Sequence, residues 1–145
     1  MDIRRSLLAE TGSRTIVPTI LIVSLFLLVV GHDAPGGGFV GGLLGGSALL
    51  VVFLSGGRNE VEALLPLPPR FLIGLGMAVS ISVASLGLVF GSAFLDAGKL
   101  SVDLWLIGEV SAGSALVFDV GVYLVVVGLI ATVLMELGNP EEAES

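Results

Sequence analysis

Apolar residues run along this chain in long blocks, separated by short stretches rich in glycine, proline and charge. The first block covers about Thr15 to Val30 and the second about Phe39 to Ser55. The third covers about Arg70 to Leu95 and the fourth about Ala112 to Leu137. Each is read as a membrane-crossing helix. The pattern predicts an all-α integral membrane protein, with residues 1–145 forming a single transmembrane domain of four helices. The first block is the shortest, giving roughly 24 Å of helix against a hydrocarbon core of ~30 Å. Pro18 is expected in the first turn of that helix, where a missing N–H costs little. Upstream, Ser6 to Ala9 could form a short interfacial helix. The segment Val61 to Pro69, with Pro66, Pro68 and Pro69, reads as a loop or a short surface piece. Val102 to Val110 contains Trp105 and reads as interfacial, because indole prefers headgroup depth. The tail 138–145 is acidic.

Composition agrees with the pattern. Mean hydropathy is +1.06. Across the 145 residues, 54% are hydrophobic and 13% charged, which excludes most soluble domains. Cysteine is absent, so disulfides and thiolate chemistry are excluded. The net charge of −7 leaves no basic patch for nucleic acid. Gly-x-Ser-x-Gly, P-loop and paired-carboxylate signatures are missing, so no enzyme activity and no cofactor are expected. A single histidine does not make a zinc site, and no metal site is expected.

The stretch Gly31 to Gly46, GHDAPGGGFVGGLLGG, joins the first two blocks as a glycine-rich hairpin loop. Pro35 stops a helix and disfavours the α region for Ala34. Gly36, Gly37 and Gly38 follow, then Phe39. Gly38, Gly42 and Gly46 recur four apart, as do Gly37, Gly41 and Gly45. On a helix these rows form a smooth face that another helix can approach closely. The third block carries a second such face, with Gly76, Ser80 and Ala84, then Gly87 and Gly91. The two smooth faces are expected to be able to meet. Ordinary membrane packing would produce the same rows without any specific role.

Four crossings put both termini on one side. Arg4, Arg5, Arg14, Arg58 and Arg70 then share that side, and Lys99 lies on the other. This asymmetry predicts an N-in, C-in topology.

Asp119 is the ionisable residue most clearly inside a predicted span. A carboxylate at membrane depth is costly and faces a bundle interior, a water-filled path or another protein of an assembly. Tyr123 is four residues on and shares its helix face. The topology puts the His32 loop and the start of the fourth span on the same membrane side. His32 and Asp33 are therefore expected near Asp119, with Lys99 and Glu109 around the same rim. His32 titrates near neutral pH in its ordinary state, so this group could relay protons or contact a cation. The alternative is structural: His32 and Asp33 cap helix ends, and Asp119 makes a polar contact inside a larger assembly.

The run Gly31-His32-Asp33-Ala34-Pro35-Gly36-Gly37-Gly38-Phe39-Val40-Gly41-Gly42-Leu43 resembles the signature of the MnhB-type subunits of Mrp (Mnh) multisubunit sodium/proton antiporters. In that family the residue after the histidine is often Asn; here it is Asp33. Leu116 to Leu124, LVFDVGVYL, is similar to the family's second block. The resemblance spans nearly the whole chain. It implies a small accessory subunit of a large hetero-oligomeric complex in the cell membrane. In such complexes larger subunits carry the lysine and glutamate proton path, and Na+ is exported in exchange for H+. Similar subunits occur in membrane-bound hydrogenase relatives. The partners implied are the other antiporter subunits and membrane lipid, with Na+ and H+ as the transported ions.

Three readings compete. The chain is an accessory transport subunit with Asp119, His32, Asp33 and Tyr123 on a polar ion path, or a helical spacer without ion contact, or a small homo-oligomeric exporter. The last class is expected to carry an acid in an early span, and none is present in the first two.

Overall fold

A computed structural model describes residues 2–31, 35–90 and 110–138, and these are all helix, turn or short connection. The helices are α1 (Asp2–Val30), α2 (Gly38–Gly56), α3 (Arg58–Leu64), α4 (Pro69–Phe90) and α5 (Val110–Leu137). Glu10–Val30, Gly38–Gly56, Pro69–Val89 and Gly113–Leu137 are each long and apolar enough to cross a membrane, with mean hydropathies of 2.2, 2.0, 2.2 and 2.4.

Helix α1 starts well before Thr15, which resolves the apparent shortness of the first span: Glu10–Val30 is 21 residues, roughly 31 Å of helix. The polar residues that masked it are satisfied within the helix. The Ser13 hydroxyl donates to the Glu10 carbonyl, Thr15 to that of Thr11 and Thr19 to that of Thr15. Arg14 pairs with Glu10 one turn away at 2.9 Å. Back-bonded hydroxyls and an i,i+4 ion pair let a helix continue through a sequence that reads as polar. Pro18 therefore lies inside α1 and not in its first turn. It cannot supply the helical N–H to the Arg14 carbonyl.

Helices α1 and α2 form an antiparallel hairpin, and α2 also packs on α5, which in turn packs on α4. The order across the bundle is α1, α2, α5, α4. Among the described residues α2 and α4 do not touch. The expectation that their smooth faces meet is thus corrected: α5 stands between them and receives both. The short α3 follows α2 after a turn at Gly57, where φ is 76°. It tucks Val61, which is completely buried, against the ends of α2 and α5.

The packed interior is small. Val17, Ala48, Leu49, Val52, Val61, Ala131 and Leu134 form one cluster, gathered toward the α3 end. Large apolar side chains such as Ile22, Phe26, Leu54, Leu88 and Val89 point outward. In water such a surface would drive aggregation; in lipid it is the expected exterior.

The two ends of the bundle differ. Arg14, Arg58, Arg70 and Glu136 gather at the end holding α3, where Arg58 pairs with Glu62 at 2.9 Å and Arg70 approaches Glu136 at 4.0 Å. The opposite end holds the α1–α2 turn and Asp119.

A candidate polar site between the hairpin and helix α5

The α1–α2 turn is built from backbone. The amides of Gly31 and Gly37 both donate to the Leu27 carbonyl at 3.0 Å, folding the chain back over the end of α1. Gly37 has φ 100°, a conformation that disfavours any side chain bearing a Cβ. It is the N-cap of α2, and no side chain caps it. Pro35 is exposed at the tip, just ahead of this turn.

The rows of α2 glycines do not form one face for one neighbour; they serve two. Gly38, Gly42 and Gly46 face α5. A Cβ on Gly38 would strike the Asp119 carbonyl, one on Gly42 would lie 2.8 Å from Val126 Cβ, and one on Gly46 would strike Ile130. Gly41 and Gly45 face α1 and the ring of Tyr123. A Cβ on Gly41 would lie 2.9 Å from the Ser24 carbonyl oxygen, and one on Gly45 2.8 Å from the Tyr123 hydroxyl and 3.1 Å from Ser24 Oγ. Phe39 points outward between the rows.

This bare surface holds a polar knot. Ser24 of α1 is fully buried. Its hydroxyl donates to the Gly41 carbonyl at 2.7 Å and lies 2.9 Å from the Tyr123 hydroxyl. Since the serine proton goes to Gly41, the tyrosine donates to the serine oxygen. One serine thus ties α1, α2 and α5 together, in a setting where interhelical hydrogen bonds contribute about 0.6–2 kcal/mol each. Ser24 is not among the residues singled out from sequence. Its signal was its position, a lone hydroxyl inside the run Ile20 to Val30.

Asp119 lies one turn from Tyr123 toward the α1–α2 turn. It is half-buried, and both carboxylate oxygens lie 3.7 Å from where a Gly37 Cβ would be. The carboxylate therefore sits beside the start of α2, whose first amides have no helical partners and whose dipole is positive there. The structure brings together Asp119, Tyr123, Gly37, Gly38, Gly41 and Gly42. His32 and Asp33, between Gly31 and Pro35, lie outside the described residues, as do Gly91 to Leu95, Lys99, Trp105, Glu109 and the tail from Asn139. Among the described residues no group of acids and histidine is placed to hold a metal ion.

On its other side α5 meets α4, again through small residues. A Cβ on Gly76 would lie 2.8 Å from the Val125 amide nitrogen, and one on Gly121 2.8 Å from the Gly76 carbonyl oxygen. Gly128 does the same against Ile73 and the Pro69 carbonyl. Gly121 and Gly128 lie seven apart on one face of α5, a spacing visible in the sequence.

Comparison with known proteins agrees with this architecture. The family described as a domain related to the MnhB subunit of Na+/H+ antiporter matches residues 8–132. The B-type subunit of the Na(+)/H(+) antiporter of Bacillus subtilis is 35% identical over 135 residues, covering 93% of this chain and 94% of that protein. The putative antiporter subunit mnhB2 of Staphylococcus saprophyticus is 36% identical over 130 residues, covering 90% and 92%. A chain in the structure of the Mrp complex from Dietzia sp. DQ12-45-1b matches with a TM-score of 0.71 and 30% identity. That match covers 98% of this chain but 15% of the other, so there the four-helix unit is one part of a much longer polypeptide. With the family matched over most of its length, its four membrane helices in place and antiporter subunits rather than enzymes as its relatives, this chain belongs to the family of domains related to the MnhB subunit of Na+/H+ antiporters.

Proposed function

We propose that this chain is an accessory, multi-pass membrane subunit of a multisubunit Na+/H+ antiporter of the Mrp type, working in the cell membrane with the other subunits of that complex. The near end-to-end similarity to the Bacillus subtilis antiporter protein carries this reading. The chain's own chemistry is consistent with it. The described spans hold no lysine, and Asp119 is the acid deepest within them, too little for a self-sufficient exchanger. The clustering of Arg14, Arg58 and Arg70 at the α3 end supports an N-in, C-in orientation.

Within the complex, Asp119, Tyr123, His32 and Asp33 form part of a polar path for Na+ or H+ at the outer end of the bundle. The observation that supports it is the Asp119 carboxylate held against Gly37 and Gly38, at the end of the sequence segment that contains His32 and Asp33. Mass identification of what co-purifies with the tagged chain in mild detergent tests the partners: antiporter-like subunits are expected, and a hydrogenase module would move the chain to those relatives. Asp119→Asn and His32→Gln in vesicles containing the assembled complex test the path. Lost or altered exchange with normal assembly is expected. Unchanged exchange would leave the protein a helical spacer, a reading that the close glycine packing of α2 and α5 also fits.

A further inference from the structure

At the α3 end, an open hollow of about 660 Å³ lies between α1, the end of α2 and α3. Its polar lining comes from all three helices, with Glu10, Ser13 and Arg14 of α1, Ser55 of α2 and Glu60 of α3. Deeper in the bundle a separate cavity of about 120 Å³ lies against Gly45, Ala48, Leu49 and Tyr123. Val17 and Leu64 line both, and so stand between them. Gly45 and Tyr123 both line this cavity, and the Tyr123 hydroxyl bonds to Ser24. On the far side of that knot, one turn along α5, is Asp119.

We propose that the hollow and the cavity are two parts of a one-sided water route leading from the α3 end of the membrane to the Tyr123 hydroxyl, with Val17 and Leu64 as a hydrophobic gate between them. The volumes allow it: a water needs roughly 10–15 Å³ of such space, and two to four polar partners. The Tyr123 hydroxyl donates to Ser24 but keeps lone pairs that accept from a water. A single water in the cavity would find too few further partners among Leu49, Ala48 and their neighbours. A file of waters continuous with the polar hollow supplies those partners itself. The route is therefore wet or dry as a unit, which is how an apolar constriction gates by dewetting. The route brings aqueous access from the α3 end to within one helical turn of Asp119 on α5. Its use in ion exchange rests on the role proposed above for Asp119; the water access does not.

The chain contains no cysteine, so introduced thiols are the chain's own reporters. Single cysteines at Ser55, Ala48 and Leu49 would be made in the assembled complex in sealed vesicles, with the outward-facing Ile22→Cys as a lipid control. A small, membrane-impermeant cationic thiosulfonate is added to one side or the other. Ser55→Cys should react from the side bearing the chain termini. Ala48→Cys should react from that same side, more slowly, and Ile22→Cys should stay inert. Leu49→Cys gives the same reading should Ala48→Cys fail to assemble. Adding Val17→Ala to widen the gate should raise the rate at Ala48→Cys several-fold without changing that at Ser55→Cys. Inert thiols at both Ala48 and Leu49 while Ser55→Cys reacts would overturn the route, as would labelling from the opposite side. An unchanged rate with Val17→Ala would overturn the gate. Failure of the Asp119→Asn exchange test would leave these labelling rates untouched, so the two readings stand or fall separately.

Discussion

Helix α5 is gripped on two sides by the same device and with different results. Toward α2 it meets Gly38, Gly42 and Gly46; toward α4 it offers Gly121 and Gly128 to Gly76, Ser80 and Ile73. Both contacts bring backbones together by omitting side chains. The α2 side adds a complete polar knot, with Ser24, Tyr123 and the Gly41 carbonyl satisfying one another. On the α4 side the buried Ser80 Oγ has no hydrogen-bond partner among the described residues. Dispersion between close backbones holds both pairs, but only the first also fixes rotation, because a hydrogen bond is directional and glycine packing much less so. The α1–α2–α5 group is therefore the register-determining half of the molecule, and it is the half that holds Asp119 in place.

The strongest way to break this contrast is Gly38→Leu. Its side chain would be driven into the Asp119 backbone, and overpacking of that kind typically costs about 1–3 kcal/mol or more. Loss of the chain from the purified complex is expected. Gly76→Leu on the α4 side, which meets the Val125 backbone, should be nearly as damaging, since the glycine contacts are equivalent there. Gly45→Ala is smaller. Its Cβ falls 2.8 Å from the Tyr123 hydroxyl, and it should displace the tyrosine ring and lower thermal stability in detergent by about 1–3 kcal/mol.

The serines separate the two sides most cleanly. Ser24→Ala removes the acceptor for Tyr123 and the donor to Gly41. A loss of about 1 kcal/mol in a denaturant titration is expected. Ser80→Ala deletes a buried hydroxyl that has no partner among the described residues, and should be neutral or stabilising by up to about 1 kcal/mol. Equal losses for the two variants would show that the polar knot is no different from any other buried serine.

Much of this was legible in the chain. The apolar blocks and the glycine spacing predict four membrane helices and closely approached faces. Counting crossings puts the α1–α2 connection and the start of the fourth span on one side, and Gly37 and Gly38 do lie against Asp119; His32 and Asp33 lie outside the described residues. The start of α1 was not legible, because hydropathy does not register hydroxyls that bond back to their own helix. Nor was Ser24, whose importance depends on a tyrosine 99 positions away.

The sequence alone therefore determined the medium, the number of crossings and which residues would be bare. These are local properties: transfer free energy along a window, and the absence of a Cβ at a fixed spacing. Only the tertiary structure decided which bare face met which helix. A glycine row states that something can come close, not what comes. That choice was made by the side chains opposite, with Val126 and Ile130 on one row and Ser24 with Tyr123 on the other, and by the position of α5 between α2 and α4. The hollows beside Tyr123 belong to that second category, because a cavity is set by side chains from helices far apart in the chain.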